Sequence, residues 1–310
     1  MNNYVVIADT NCEFNQELQE RFKLDAIAPN HIIVNGVDHV SDNEWQLFKS
    51  PDEFYKQLRD KKNSISTTPP SVEEMKETFI PFLKEGKDVI FLALSGALSG
   101  TYNFGLMAKK ELNELYPERR VEVIDTLRYG VAISLFVTLI TSMRDEGKSL
   151  DEVMAKIEEV KYNLHQMGPM DDLMFLARKG RISKGKAFMG TMVGVKPLGE
   201  FNRQGMTTVL TKAMGIKKAL DFTIEYVKRT IVDPENQILF IANTDRRKNA
   251  ELLRDLVISE IKPKEVILLD CGPSSGTNIG PGLAAVYYWG TPISEDLSTE
   301  QALMDEISGK

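Results

Sequence analysis

Short apolar runs alternate along the first half of the chain with segments in which apolar residues recur every three or four positions. The runs at residues 5–8, 89–92 and 121–125 are short and continuous, which is typical of strands buried on both faces of a sheet. Helical periodicity follows the last two runs, over residues 106–115 and 130–144. Strands that alternate with helices predict a mostly parallel sheet flanked by helices.

The second half shows the same alternation and adds a turn signal. Residues 202–205 contain Asn, Gln and Gly between two extended segments, which predicts an antiparallel hairpin. Strands are also predicted at residues 237–242 and 265–269. The sequence therefore predicts an α/β fold with two α/β domains, the first with a mostly parallel sheet and the second with a mixed sheet. We assign these domains to residues 1–148 and 149–310.

A proline pair precedes one of the predicted helices in the first half. The prolines at residues 69–70 end any regular element before them. Ser71 and Glu74 have the spacing of a capping box, so a helix is predicted from there to about residue 83. Thr67 is then expected in a loop beside the start of this helix.

The helices predicted in the second half include the following three. The first begins at residues 170–173, where two acidic residues suit the first turn of a helix, and ends at Gly180. The second passes through residues 188–193. The third follows residue 290 and packs on the surface.

Charge and composition exclude several classes of function. The 310 residues carry a formal net charge of −7 with no compensating basic run, so binding to nucleic acid is not expected. The longest apolar stretch, residues 131–140, is interrupted by Ser134 and Thr138 and is too short for a membrane anchor. Cys12 and Cys271 are far apart, which indicates buried thiols rather than a disulfide or zinc site. A reducing cytoplasm fits this pattern.

Three polar segments follow predicted strands and hold the candidate binding residues. Residues 9–13 are acidic and polar, residues 93–102 are rich in small side chains and hydroxyls, and residues 270–282 combine glycine with hydroxyls. Ligands of open α/β sheets bind beyond the carboxyl ends of the strands. Because N–H and O–H groups bind anions, we expect the head group of a small acidic ligand here. The alternative is a set of tight turns that bind nothing.

The sequence motifs of several enzyme classes are missing. The chain has neither the phosphate-binding P-loop pattern nor the dinucleotide-binding glycine pattern. Ala93 and Ala97 stand where a nucleophile elbow around Ser95 would need glycine. No histidine follows His165 to complete a triad, and no metal motif is present. The sequence therefore predicts a binding protein without a cofactor. The alternative is an enzyme that acts on a phosphorylated or carboxylated small molecule, with Asp9 as acid or base.

Five stretches, in order along the chain, together carry a family resemblance. They are residues 6–10 (VIADT), 67–74 (TTPPSVEE), 95–102 (SGALSGTY), 176–183 (LARKGRIS) and 272–282 (GPSSGTNIGPG). With these stretches the sequence resembles the DegV family of bacterial fatty-acid-binding proteins, which includes the binding subunit of the fatty acid kinase system. The resemblance extends from about residue 4 to about residue 290.

This resemblance implies a ligand and a site. A long-chain fatty acid would lie between the two domains, with its acyl chain in an apolar tunnel. Thr67 and the step from Ser95 to Gly96 would hold the carboxylate, and Thr277 with Asn278 would complete the head-group network.

The resemblance also implies a partner. The arginine that matches Arg181 is associated with a cytosolic kinase that phosphorylates the bound acid to an acyl phosphate. Asp9 and Thr10 are further candidates for contact with the head group or the partner. Met189 and Met192 are candidates for lining the tunnel, because methionine adapts to flexible ligands. For each residue taken singly, a place in an ordinary helix core is the favoured alternative.

Two positions depart from the family pattern. Asn278 stands where the family commonly has histidine; an amide can hydrogen-bond to a carboxylate but cannot carry a proton. Gly96 replaces the second serine of a Ser-Ser pair, so Ser95 or a backbone N–H must serve instead. These departures leave open a third reading, a lipid-sensing interaction protein.

Overall fold

The computed structural model describes residues 3–171, 173–182 and 194–310. Within these ranges the strands are β1 Tyr4–Asp9, β2 Ala26–Ala28, β3 His31–Val34, β4 Val37–Val40, β5 Ile65–Thr68, β6 Asp88–Ala93, β7 Val121–Asp125, β8 Leu164–Met167, β9 Val195–Phe201, β10 Thr207–Met214, β11 Ile238–Asn243, β12 Glu265–Asp270 and β13 Ala284–Trp289. The helices are α1 Gln16–Arg21, α2 Pro51–Arg59, α3 Val72–Lys84, α4 Thr101–Leu115, α5 Ala132–Asp145, α6 Leu150–Val160, α7 Met174–Lys179, α8 Ile216–Thr230, α9 Arg247–Glu260, α10 Pro273–Ile279 and α11 Ser298–Ser308.

The first sheet is parallel throughout, with strand order β2-β1-β6-β7. Successive side chains of β1 point to opposite faces, and all of them are buried. Val5 and Ile7 belong to the core formed with α3 and α4, whereas Val6 and Ala8 belong to the core that contains α5. Helices therefore cover both faces, as the alternating pattern predicts.

The second sheet is mixed, with strand order β12-β11-β13-β8. Strand β12 runs parallel to β11, while β13 is antiparallel to both of its neighbours. Strands β9 and β10 form a separate antiparallel hairpin at the predicted position. The predicted fold class, with a parallel first sheet and a mixed second sheet, is confirmed.

Helix α5 lies between the two sheets and joins their cores. It contacts β1 and β6 on one side and β11 and β13 on the other. The ring of Phe136 packs edge-on against Trp289, with centroids 5.2 Å apart. A single hydrophobic cluster consequently extends from Val6 of the first sheet to Tyr287 of the second. Both cysteines are buried free thiols, as predicted.

A small antiparallel sheet, β4-β3-β5, contains Thr67 and corrects one prediction. Thr67 is not a loop residue, because it lies in β5 and pairs with Ile32 of β3. The proline after Thr68 excludes helix there but allows the extended backbone that a strand requires. The capping box of Ser71 is present as predicted and begins α3.

The prediction of a helix start at residues 170–173 is wrong. Helix α7 begins at Met174, and its first turn contains no acidic residue. The carboxylate of Asp171 instead pairs with Lys196 and Arg246. The end of the helix is confirmed, since Gly180 has the left-handed φ of 70° that favours glycine.

The remaining predicted helices have different outcomes. The helix predicted at residues 188–193, with Met189 and Met192, lies outside the described residues. The terminal helix is confirmed as α11. The segment 270–282 is not only a loop, because it contains the short helix α10. In the described part of the chain no helix combines the length and apolarity that crossing a membrane requires.

Candidate functional site

A cavity of about 390 Å³ opens where the loops after β1 and β6 meet the end of β5 and helix α10. This position lies beyond the carboxyl ends of parallel strands, where ligands of open α/β sheets bind. The lining brings together residues from distant parts of the chain. They are Asn11, Asn30, Thr67, Thr68, Pro69, Leu94, Gly96, Ala97, Leu98, Ser99, Gly100, Asn103, Tyr129, Leu176, Arg181, Ser274, Ser275, Asn278 and Ile279.

Four of the predicted site residues line this cavity: Thr67, Gly96, Arg181 and Asn278. The side-chain amide of Asn278 donates to Thr67 Oγ1 at 2.9 Å and to the carbonyl of Ser274 at 3.1 Å. Thr67 and Asn278 are 211 positions apart in sequence, so the fold itself creates this pair.

Gly96 allows a close approach of the backbone to two side chains. Its N–H donates to Asp125 Oδ1 at 3.2 Å, so this donor already has a protein partner. A Cβ atom at this position would lie 3.0 Å from Asp125 Oδ2 and 3.2 Å from the ring of Tyr102. A larger residue would therefore displace both neighbours, which accounts for glycine where the family pattern has serine.

The other predicted residues lie behind the cavity lining. Ser95 is fully buried, and its Oγ accepts from the N–H of Ala97 at 3.3 Å. Thr277 is also fully buried, and its Oγ1 has no hydrogen-bond partner among the described residues. Thr10 Oγ1 accepts from the N–H of Asn30 and so holds a lining residue in place.

Asp9 supports the loops but does not line the cavity. One carboxylate oxygen accepts from the N–H of Leu94 at 2.9 Å, and the other accepts from the backbone and side chain of Asn11. Burial raises the pKa of Asp9 to about 6, against the lowering effect of these hydrogen bonds. The carboxyl group therefore ties the first polar loop to the second rather than facing a ligand.

Several polar lining residues were missed by the sequence reasoning, and four of them form one hydrogen-bonded group. Asn11 Oδ1 accepts from Ser275 Oγ at 2.8 Å and from Ser274 Oγ at 3.3 Å, and Asn30 Nδ2 donates to Ser274 Oγ at 3.1 Å. We call Asn11, Asn30, Ser274 and Ser275 the polar wall. Asn11 and the two serines stood within segments already identified, but only the fold shows which hydroxyls reach the cavity.

A second buried carboxyl group lies just behind the polar wall. Glu13 Oε2 accepts from the N–H of Gly272 at 2.7 Å, while its Oε1 has no hydrogen-bond partner among the described residues. Burial raises the pKa of Glu13 to about 8, and the hydrogen bond from the N–H of Gly272 opposes this rise. Glu13 is therefore largely protonated at neutral pH, which limits repulsion of an anion at the wall.

The chemistry of the lining suits anion binding rather than proton transfer. Among the described lining residues, Arg181 alone carries a charge, and the rest of the polar set consists of hydroxyls and amides. Hydrogen bonds from such groups to an anion contribute about 1.5–3 kcal/mol each. General acid–base catalysis near neutral pH needs a side chain that titrates near that pH at the reacting atoms. Tyr129 is the titratable hydroxyl of this described lining, and burial raises its pKa further above the usual value.

A smaller cavity of about 30 Å³ borders the first one. Tyr129, Leu176 and Ile279 line both cavities. Most of the remaining lining is apolar. It comprises Met170, Leu173, Pro197, Leu198, Val209, Leu283 and Ala285 together with Gly168, Gly199, Gln166 and Thr207.

Comparison with known proteins identifies relatives over almost the whole chain. A family model described as "Uncharacterised protein, DegV family" matches residues 3–290. A DegV domain-containing protein of Clostridium perfringens is 32% identical over 259 residues, which cover 83% of this chain and 87% of the relative.

Two solved structures share the fold. The first is a DegV family protein from Thermus thermophilus described for fatty acid binding, with a TM-score of 0.83, 23% identity and coverage of 93% of this chain and 99% of that one. The second, a DegV family protein from Ruminococcus gnavus with vaccenic acid, has a TM-score of 0.82, 22% identity and coverage of 93% and 100%. Family model, sequence relative and fold agree, and this chain belongs to the DegV family.

Proposed function

We propose that this protein binds a long-chain fatty acid and presents it to a fatty acid kinase. The observation that carries the proposal is the pair of adjoining cavities, the first with a polar wall and the second largely apolar. A fatty acid has a polar head group for the first cavity and an apolar chain for the second. Each methylene group that is buried contributes about 0.8 kcal/mol of binding free energy. The fatty acids named for the two structures that share the fold support the same class of ligand.

In this proposal the carboxylate lies against the polar wall. The hydroxyl groups of Ser274 and Ser275 turn from Asn11 Oδ1 to the carboxylate. Thr67 accepts from Asn278 and keeps its own hydroxyl proton for the carboxylate. Arg181 is the positively charged residue of the described lining and offsets the charge of the ligand. The loops are supported by four residues that lie behind the lining: Ser95, Thr277, Asp9 and Thr10. No cofactor takes part.

Two features support a kinase as partner: Arg181 is partly exposed, and the described lining has no group that transfers a phosphoryl group. The described lining contains no group that could transfer a phosphoryl group, so an acyl phosphate needs a separate enzyme. Arg181 lies on the cavity and remains partly exposed, where a cytoplasmic kinase can reach it. The alternative functions, an enzyme using Asp9 or a lipid sensor, receive no comparable support from the lining.

Analysis of the co-purifying ligand tests the binding proposal directly. The purified protein is denatured, and the extract is examined by mass spectrometry alongside an extract of an unrelated protein from the same host. We expect stoichiometric fatty acid, together with saturable binding of palmitate or oleate by delipidated protein. A ligand-free preparation that also binds neither acid would overturn the proposal.

The transfer step needs its own assay, because binding alone does not show it. Lipid-loaded protein is incubated with ATP and a fatty acid kinase, and acyl phosphate is trapped with hydroxylamine. The proposal expects product from the native chain. If only an Asn278→His variant yields product, the native chain senses or carries lipid without serving as the kinase substrate.

A further inference from the structure

A cluster of three polar side chains lines the small cavity, and one of them also borders the large cavity. Tyr129 follows β7, Gln166 lies in β8, and Thr207 begins β10, so three distant segments supply the cluster. All three side chains line the small cavity, and Tyr129 also lines the large one. We call Tyr129, Gln166 and Thr207 the constriction cluster.

The hydrogen bonds within this cluster leave one acceptor atom, Gln166 Oε1, without a donor among the described residues. Gln166 Nε2 donates to Thr207 Oγ1 at 2.5 Å, and the hydroxyl of Tyr129 lies 2.6 Å from the same Oγ1 atom. No hydrogen bond to Gln166 Oε1 exists among the described residues. An amide oxygen can accept two hydrogen bonds, so this acceptor is available to a group inside the cavity.

The lining around Gln166 Oε1 is apolar, so the nature of the bound chain decides whether this acceptor is satisfied. The neighbouring lining is apolar and includes Met170, Leu198, Val209 and Leu283. A saturated acyl chain beside the cluster would remove water from Gln166 without replacing the hydrogen bonds that the water makes. An unsatisfied buried polar group costs free energy, so this arrangement disfavours a saturated chain. A hydroxyl group on the chain would donate to Gln166 Oε1 and accept from the cluster's own hydroxyls.

We propose that the constriction cluster is a specificity determinant that favours acyl chains carrying a hydroxyl group where the chain reaches the small cavity. This inference rests on the proposed fatty acid binding and adds the substrate class to it. The polar wall recognises the carboxylate at one end, and the constriction cluster recognises a second polar group at a fixed distance along the chain. The substrate class is therefore hydroxylated long-chain fatty acids, in addition to the unmodified acids that the apolar lining accepts.

The test compares octadecanoic acid with its single-hydroxyl isomers in a competition assay on the delipidated full-length protein. The hydroxyl is placed at successive carbons from the middle of the chain toward the methyl end. We expect one or two adjacent isomers to bind roughly tenfold more tightly than octadecanoic acid, which is the factor given by about 1.4 kcal/mol from one hydrogen bond. The isomers with the hydroxyl elsewhere should bind more weakly than octadecanoic acid.

Two variants assign the preference to the cluster. Gln166→Met removes the free acceptor with little change of shape and should reduce the ratio of affinities to about one. Thr207→Val removes the hydroxyl that accepts from the Gln166 amide and should reduce the ratio. Thr211→Val, on the same strand but outside both cavities, should keep the native ratio. Thr207→Ser restores the hydroxyl and should restore the preference.

The outcomes separate this inference from the proposed function. If octadecanoic acid binds but every hydroxylated isomer binds equally or more weakly, the inference is wrong and fatty acid binding stands. If neither kind of acid binds, the proposed function is wrong. If a variant fails to fold, the comparison of isomers on the native protein still decides the question.

Discussion

The hydrogen bond between Asn278 and Thr67 should make the proposed head-group site sensitive to single atoms. Thr67→Val removes the Oγ1 that accepts from the amide of Asn278 while keeping the shape of the β5 side chain. The freed amide loses its position against the cavity, so we expect fatty acid affinity to fall roughly fivefold to tenfold. Titration of the delipidated variants by calorimetry measures the change. Thr67→Ser keeps the acceptor and should bind like the native protein, and equal binding by Thr67→Val would contradict the assignment.

Glu13 should make folding stability depend on pH. Its pKa is raised from 4.5 to about 8 by burial, so the folded protein holds a proton that the unfolded chain releases above pH 4.5. The favourable contribution of the protonated group is complete below pH 4.5 and is lost as the pH rises toward about 8. We expect the native protein to lose about 3 kcal/mol between pH 5 and pH 8 from this group.

The Glu13→Gln variant isolates that contribution. Glutamine keeps an oxygen for the N–H of Gly272 and cannot ionise. Urea unfolding of this variant at pH 5 and pH 8 should show a loss of stability about 3 kcal/mol smaller than that of the native protein. Glu146→Gln, at an exposed carboxylate, should show the native loss. An unchanged pH dependence in Glu13→Gln would mean that Glu13 is ionised in the folded state.

At the scale of single elements, the two capping boxes offer a matched comparison. Ser71 caps α3 directly after the cavity segment that contains Thr67, whereas Ser149 caps α6 away from the cavity. Replacing either serine by alanine should cost about 1 kcal/mol of unfolding free energy. Only Ser71→Ala should also weaken fatty acid binding, by about twofold to threefold, because the start of α3 fixes the end of β5. Equal effects of both variants on binding would contradict this link.

The elements show what the sequence can and cannot predict. Local signals placed most strands and helices, and the spacing of Ser71 and Glu74 gave the start of α3. The strand position of Thr67 depends on pairing with β3, which no local pattern contains.

Helix α10 was missed because its glycine, serine and proline residues have low helix propensity. It forms where tertiary contacts favour it: a Cβ atom at Gly276 would lie 2.7 Å from both the Phe54 ring and the Tyr55 hydroxyl. Tertiary contacts, which local patterns do not contain, also explain why the site was predicted only in part. Segments rich in hydroxyls were predicted, but which of them face the ligand depends on how distant loops meet.

At the scale of the whole molecule, α5 couples the two sheets. The boundary predicted between residues 1–148 and 149–310 divides the chain just after a helix whose buried side chains contact both sheets. Because one hydrophobic cluster spans both parts, neither sheet can lose its packing without exposing the other. We therefore expect both parts to unfold in a single calorimetric transition. Phe136→Ala should lower the unfolding free energy by about 3–5 kcal/mol and should still show a single transition.

Ligand binding should shift that transition as one unit. A fatty acid that bridges the polar wall and the small cavity contacts loops from both sheets, so it stabilises the folded state of the entire chain. Mass action gives about 2.7 kcal/mol at a free ligand concentration one hundred times the dissociation constant. Calorimetry with oleate should therefore show one transition moved upward by several degrees, and methyl oleate, which lacks the carboxylate, should produce a smaller shift. Two transitions, only one of them sensitive to oleate, would show that the sheets fold separately and that the acid binds to one of them alone.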